Sequence, residues 1–283
     1  MSMQVVTTRA AVREAVAAAR GKGERIGLVP TMGYLHEGHL TLIDRAREVA
    51  DRVAVSIFVN PLQFGPTEDL DRYPRDLERD LRLAEERGAD LVFTPTAAEM
   101  YPGGEPLVSV VPDPRLADRL CGLARPGHFR GVLTVVAKLF GIFSPDVAVF
   151  GQKDFQQAVL IRRMAADLDL PVEVDVAPVV REPDGLAMSS RNVYLSPGER
   201  ERARSLSRAL NESRALFAAG ERDGSRLRTA MRNALAVPGV VVEYAEVSDP
   251  RTLAPVDKAF PGAVCAVAAR VGSTRLIDNV ILQ

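Results

Sequence analysis

From residue 25 to about residue 177 the chain alternates short apolar runs with amphipathic segments, and this alternation constrains its fold more than any other feature. Parallel strands cannot be joined by tight hairpins; each needs a crossover, usually a helix, and repeated β-α-β units leave this signature. Residues 25–30 read as a strand, 38–50 as a helix and 53–60 as a strand. A further helix starts at Arg75, keeps Leu77, Leu81 and Ala84 at helical spacing, and stops at Gly88. Residues 91–93 read as a strand, 132–140 as a helix and 147–150 as a strand. After Asp154 a helix aligns Ile161, Met164, Ala165 and Leu168 on one face, and 172–176 closes the series as a strand. The expected class is α/β, with a Rossmann-like parallel sheet.

The alternation stops at Arg181-Glu182-Pro183-Asp184-Gly185, a turn-forming cluster that marks a domain boundary, with 1–181 on one side and 182–283 on the other. Ser196-Pro197-Gly198-Glu199 combines an N-cap serine, proline at the first helical position and glutamate three after the cap, so a helix is expected from there to Gly220. Leu227, Ala230, Met231 and Ala234 suggest a second helix, and the valine-rich stretches 239–247, 263–271 and 275–281 suggest strands, which together make a smaller α+β C-terminal domain. Acidic residues interleave with the arginines of 200–232, as on a solvated helix face. With 283 residues, 47% of them hydrophobic and 26% charged, the chain can bury two cores.

Thirty-six basic and 37 acidic side chains leave a formal charge of −1, which provides no field for nucleic acid or an anionic membrane. The first residues lack a basic and then apolar leader, and the most apolar stretch, 132–143, is short and interrupted by Lys138. A cytoplasmic location is expected. Cys121 and Cys265 are too far apart in sequence for a zinc knuckle and are expected to be buried thiols.

The residues with chemical potential begin at Thr31-Met32-Gly33-Tyr34-Leu35-His36-Glu37-Gly38-His39, where the first strand of the series gives way to a helix. Ligands of open α/β sheets bind at that end of the strands. Gly33 and Gly38 let phosphates approach the main chain, the helix N-terminus offers N–H groups, and His36 and His39 can donate to the charge shed onto a leaving pyrophosphate. Two histidines at i and i+3 could equally bind a metal or satisfy local hydrogen bonds. The zinc-protease helix needs i and i+4, so the spacing is wrong by one residue. Lys153 follows a strand end and a glycine, with Asp154 beside it as a candidate helix cap, whereas Ser189-Ser190-Arg191 taken alone reads only as an interdomain turn.

The His-x-Gly-His turn is shared by class I aminoacyl-tRNA synthetases and nucleotidylyltransferases, and the longer run resembles the pantothenate synthetase family. Further blocks carry the resemblance: 56–64 (SIFVNPLQF), 71–75 (DRYPR), 128–132 (HFRGV), 151–157 (GQKDFQQ) and 184–192 (DGLAMSSRN). Residues 200–283 match only in general character, and Gln152 stands where many members carry glutamate. The resemblance implies ligation of (R)-pantoate to β-alanine through a pantoyl adenylate, with ATP cleaved to AMP and pyrophosphate. It implies ATP contacts from Met32 through His39, from Gly151, Gln152, Lys153 and Asp154, and from Val180, Met188, Ser189, Ser190 and Arg191. His36, His39, Lys153, Ser189, Ser190 and Arg191 are the expected catalytic set. It assigns Gln63 and Gln157 to pantoate, with Gln63 also near β-alanine, and leaves Asn60, Tyr73, Arg125 and His128 as pocket residues without defined roles. Mg²⁺ is expected to arrive with ATP, since no carboxylate cluster marks a protein cage. A homodimer is implied, and the C-terminal domain is expected to act as a lid hinged near 181–185. The rivals are a nucleotidylyltransferase acting on a phosphorylated acceptor, a metal-dependent hydrolase using His36, Glu37 and His39, and a nucleotide-sensing module without turnover.

Overall fold

A computed structural model describes residues 3–66 and 68–283. The chain divides into two compact units. The first comprises the described residues up to Pro112, Arg125–Gly151 and Leu160–Pro178; the second comprises Asp113–Ala124, Gln152–Val159 and Val179–Gln283.

The first unit holds six parallel strands: β1 (Gln4–Val6), β2 (Ile26–Thr31), β3 (Arg52–Ile57), β4 (Leu91–Phe93), β5 (Val147–Gly151) and β6 (Glu173–Ala177). Their spatial order is β1-β4-β3-β2-β5-β6. The central strands are apolar on both faces because helices cover both: Leu28, Val29, Ala148 and Val149 are all fully buried. The helix Glu37–Val49 lays Leu40, Leu42, Ile43 and Ala46 against Val29, Val53, Val55 and Val149. From β2 the chain moves to one side through β3 and β4, and then returns to the other side for β5. The carboxyl ends of β2 and β5 therefore flank a topological switch point, where such sheets bind ligands.

In the second unit an antiparallel sheet, β7 (Val240–Ser248), β8 (Val264–Val271) and β9 (Thr274–Ile281), is backed by the helices Ser205–Ala218 and Gly224–Ala234. Leu206, Leu210, Phe217, Leu227, Met231, Val247 and Val267 form its core. Cys265 lies in that core with its sulfur 3.1 Å from Ser213 Oγ, and burial pushes its thiol up to about 11. Cys121 is also buried and free. The Ser196–Glu199 capping box is formed as its sequence predicts.

The expected strands and helices of 25–177 are all present, most within a few residues of their predicted bounds. Two elements precede them, β1 and the alanine-rich helix Arg9–Arg20. The single helix expected from 196 to Gly220 is two, Pro197–Ala203 and Ser205–Ala218. At the join Ser207 Oγ donates to the Arg204 carbonyl, the kind of side-chain competition that bends helices. The second unit also takes in 113–124 and 152–159. Gln156 ties these segments together, donating to the carbonyls of Leu116, Ala117 and Arg119 and accepting from Cys121 N–H.

The helix His128–Phe143 contains two glycines in opposite situations. A Cβ on Gly131 would lie 2.2 Å from the Leu62 carbonyl oxygen in the turn Pro61–Gln63, whereas one on Gly141 would meet nothing within 4 Å. Alanine gains about 1 kcal/mol over glycine inside a helix, while forcing atoms into packed space costs about 1–3 kcal/mol. Gly141→Ala should therefore raise the urea midpoint and Gly131→Ala should lower it, both read against the parent protein.

Candidate active site

The residues singled out in the sequence fall into two sets, each within one unit. Met32–His39, Gln63 and Gly151 belong to the first; Gln152, Lys153, Asp154, Gln157, Val180, Met188, Ser189, Ser190 and Arg191 belong to the second.

In the first unit the turn after β2 is built by its neighbours. Gly33 has φ +82° and Tyr34 φ +51°, so the chain passes through two left-handed residues before entering the helix Glu37–Val49. Asp80, only 1% exposed, holds this turn: Oδ2 accepts from Tyr34 N–H at 2.7 Å and Oδ1 from Leu35 N–H at 2.6 Å. Burial raises its carboxyl above the ordinary aspartate range, against the pull of those two donors. A Cβ on Gly33 would lie 2.9 Å from Asp80 Oδ2, so glycine is required there for space as well as for φ.

His36 is the N-cap residue of the helix, and its ring stacks on His39 with centroids 4.0 Å apart. His36 N–H donates to His39 Nδ1 at 3.4 Å. A main-chain N–H only donates, so Nδ1 is the bare nitrogen and the ring hydrogen of His39 is on Nε2. His39 is thus set up as a donor at a helix N-terminus. Glu37 points elsewhere, forked onto Arg87 at 2.6 and 2.7 Å. Among the described residues no three His, Cys, Asp or Glu side chains converge as metal ligands.

Gln63 ends the turn after β3. Its carbonyl accepts from His128 Nδ1–H at 2.8 Å and from Arg125 Nη2 at 3.2 Å. Arg125 also faces His128 Nε2 at 2.9 Å and forms an ion pair with Glu68. The Gln63 amide nitrogen reaches Met32 Sδ at 2.9 Å, which joins the turns after β2 and β3. A cleft beside this cluster is lined by Gln63, Glu68, Glu105, His128 and Arg130. Tyr73 is buried against Phe64, edge to face at 5.9 Å.

In the second unit two candidate phosphate-binding segments are anchored to adjacent residues of β9. Asn279 Nδ2 donates to the carbonyls of Gln152 and Lys153, each at 3.0 Å, and its Oδ1 accepts from Gln152 Nε2 at 3.0 Å. Lys153 Nζ lies 3.3 Å from Asp154 Oδ2. Asp278, whose side chain is 2% exposed, receives the Arg181 guanidinium at 2.6 and 3.0 Å. Burial raises the Asp278 carboxyl and Arg181 opposes that rise. Arg181 pairs with Ala187, and Met188 N–H donates to the Val180 carbonyl, so 180–188 form a short hairpin. Ser189 then caps the turn Ser190–Tyr194 by accepting from Arg191 N–H. Gln157 is half-buried on the helix Phe155–Asp167, beside the fully engaged Gln156.

Sequence reading did not single out Asp80, Glu68, Gly131 or Asn279. Only Asp80 leaves a trace, as a charged residue within the apolar stripe Leu77, Leu81, Ala84; the others act through partners distant in sequence. Asp80→Asn can accept at only one terminal atom and leaves a buried N–H of the turn opposite an amide nitrogen. The expected cost is about 2 kcal/mol in denaturant unfolding, against a smaller loss for the exposed helix cap variant Asp76→Asn.

Against known families, residues 4–281 match the model of the family described as pantoate-beta-alanine ligase. The pantothenate synthetase of Pelotomaculum thermopropionicum is 56% identical, with 99% of each chain covered. That of Moorella thermoacetica is 55% identical over 99% of each. Among solved structures, pantothenate synthetase from Thermus thermophilus superposes with a TM-score of 0.94 at 48% identity, covering 99% of both chains. The Francisella tularensis ligase, solved with beta-gamma ATP and beta-alanine, gives 0.82 at 32% identity, covering 99% of this chain and 98% of that one. A parallel sheet with its switch point at β2 and β5, a histidine turn at that edge and a family match along almost the whole length agree: this chain belongs to the pantoate–β-alanine ligase family.

Proposed function

We propose that the chain joins (R)-pantoate to β-alanine, with ATP cleaved to AMP and pyrophosphate through a pantoyl adenylate. The observation within the chain that supports this most is the hydrogen bond that His39 Nδ1 accepts from the His36 main chain at the helix N-terminus. Attack of a carboxylate on the α-phosphorus places charge on the transferring group and on the departing pyrophosphate, so the catalyst has to supply fixed donors where that charge develops. His39 Nε2–H, held by the His36 main chain, and the first N–H groups of the Glu37–Val49 helix are donors of this kind.

Met32 through His39 and Gly151 are assigned to ATP in the first unit. For the second unit we propose phosphate binding by Lys153, Ser189, Ser190 and Arg191, with Gln152, Asp154, Val180 and Met188 forming the surrounding main chain. Gln63 and Gln157 are assigned to pantoate. Neutral amides suit that task, since they bind hydroxyl and carboxylate oxygens without a strong ion pair that would blunt the nucleophile. Mg²⁺ belongs to this reading as a companion of the triphosphate. So do a cytoplasmic location, where ATP is supplied, and a homodimer. The segment Leu107, Val108 and Val111, exposed at 103%, 86% and 70%, is an apolar stretch of the sort that subunit contacts cover. No helix of the described residues is long and apolar enough to cross a membrane.

The purified protein incubated with Mg-ATP and pantoate should release pyrophosphate, and should form an amide only once β-alanine is added. His39→Ala should lower pyrophosphate release at least about a hundredfold in a protein that still unfolds cooperatively, its midpoint lowered only by the lost cap contact. Release at the parent rate would remove His39 from the chemistry.

A further inference from the structure

Asn60 and Tyr101 lie beside Gln63 in the first unit, and neither has a role in the proposed chemistry so far. Asn60 is 1% exposed and Tyr101 5% exposed. Asn60 Nδ2 donates to the Gly131 carbonyl and to Gln63 Oε1, both at 3.1 Å. Asn60 Oδ1 accepts from Tyr101 Oη–H at 2.8 Å and from Leu62 N–H at 3.3 Å. Both amide hydrogens and both oxygen lone pairs of Asn60 are therefore engaged inside the protein. Asn60 has no hydrogen-bonding position left to offer a ligand.

The direction of this chain of bonds is fixed by the main chain. A carbonyl oxygen only accepts, so Nδ2 must face Gly131; a main-chain N–H only donates, so Oδ1 must face Leu62. Tyr101 then has to donate, and burial, which pushes its phenol well above the ordinary tyrosine range, keeps the hydrogen in place. The ring is held by Phe58 at 6.1 Å and by the Lys138 ammonium at 5.6 Å. The remaining Asn60 hydrogen points at Gln63 and dictates which end of that amide is oxygen. Gln63 Nε2 is thereby turned to Met32 Sδ. One N–H and one lone pair of Gln63 remain, a donor and an acceptor on the same amide. That pair matches a 2-hydroxy acid, whose carboxylate accepts and whose hydroxyl donates.

We infer that Tyr101 is a positioning residue for the hydroxy acid: its hydroxyl holds in place the Asn60 amide that sets the polarity of the Gln63 amide, and neither Tyr101 nor Asn60 touches the substrate. This rests on the assignment of Gln63 to pantoate, and its test separates the two. The quantity to measure is kcat/KM for pantoate, read from pyrophosphate release at sub-saturating acid, in the parent, Tyr101→Phe, Gln63→Ala and the double variant, together with KM for ATP and thermal unfolding. Tyr101→Phe should lower kcat/KM for pantoate about tenfold, the worth of one lost hydrogen bond. It should leave KM for ATP unchanged, and in the Gln63→Ala background it should add less than about twofold, because groups acting through one another are not additive. An unchanged kcat/KM in Gln63→Ala would overturn the assignment of Gln63 and the inference with it. An impaired Gln63→Ala enzyme in which Tyr101→Phe acts equally in both backgrounds would overturn the inference alone. So would a crystal structure of Tyr101→Phe with the Asn60 and Gln63 amides held as in the parent, whatever the activity of the other variants.

Discussion

A carboxylate removed from water has to be met by donors, and Asp80 meets two in the main-chain N–H groups of Tyr34 and Leu35. This contact sets the course of the chain after β2. The left-handed conformations at Gly33 and Tyr34 would be costly in a free loop; here they are imposed by a rigid helix, Leu77–Glu86, that carries the aspartate. The entry angle of the Glu37–Val49 helix follows, and with it the stacking of His36 on His39. The side chains proposed for ATP owe their geometry to a residue one layer further in.

The same division recurs around Gln63 and Lys153. Gln63 is held at its carbonyl by His128 and Arg125, and at its amide by Asn60 and Met32. The Lys153 turn is held by Asn279 through two carbonyl oxygens. Neutral amides do most of this work: Asn60 and Asn279 take their orientation from main-chain groups whose donor or acceptor character cannot change, and Gln63 takes its own from Asn60. Preorganisation of this kind is what electrostatic catalysis needs, since donors already in place need not reorganise as charge develops. The Gln152 side chain also bonds to Asn279, so this position has a defined local partner here.

Much of this arrangement was legible in the sequence, and the limits of legibility are physical. Strands β2, β4 and β5 announce themselves because both their faces are buried and their runs are uniformly apolar. The strand β1 has three residues and the helix behind it buries only Val12, Val16 and Ala19, too little pattern to stand out. The histidine turn and Lys153 could be singled out because their chemistry is local, whereas Gln63 and the serine-arginine segment stood out only through the family resemblance. Asp80, Gly131, Tyr101 and Asn279 matter through partners far along the chain, as with Gly131 against Leu62 or Asn279 against Gln152. A one-dimensional pattern holds no record of such pairs. The helix break at Arg204, where Ser207 Oγ bonds the Arg204 carbonyl, is equally silent.

The strand order has a consequence for synthesis. Strand β2 sits at the centre of the sheet, yet its partner β5 pairs Val147 with Gly27, and β1 waits for β4, where Gln4 meets Leu91. A chain emerging from the ribosome can join β2 to β3 early, but the other edge of β2 stays open until residue 147 and beyond is available. During that interval an apolar strand presents unpaired main-chain groups to whatever is nearby. The most sequence-distant pairing in the sheet, β2 with β5, is the one at the switch point, so a growing chain completes that edge and closes the open side of β2 in the same step.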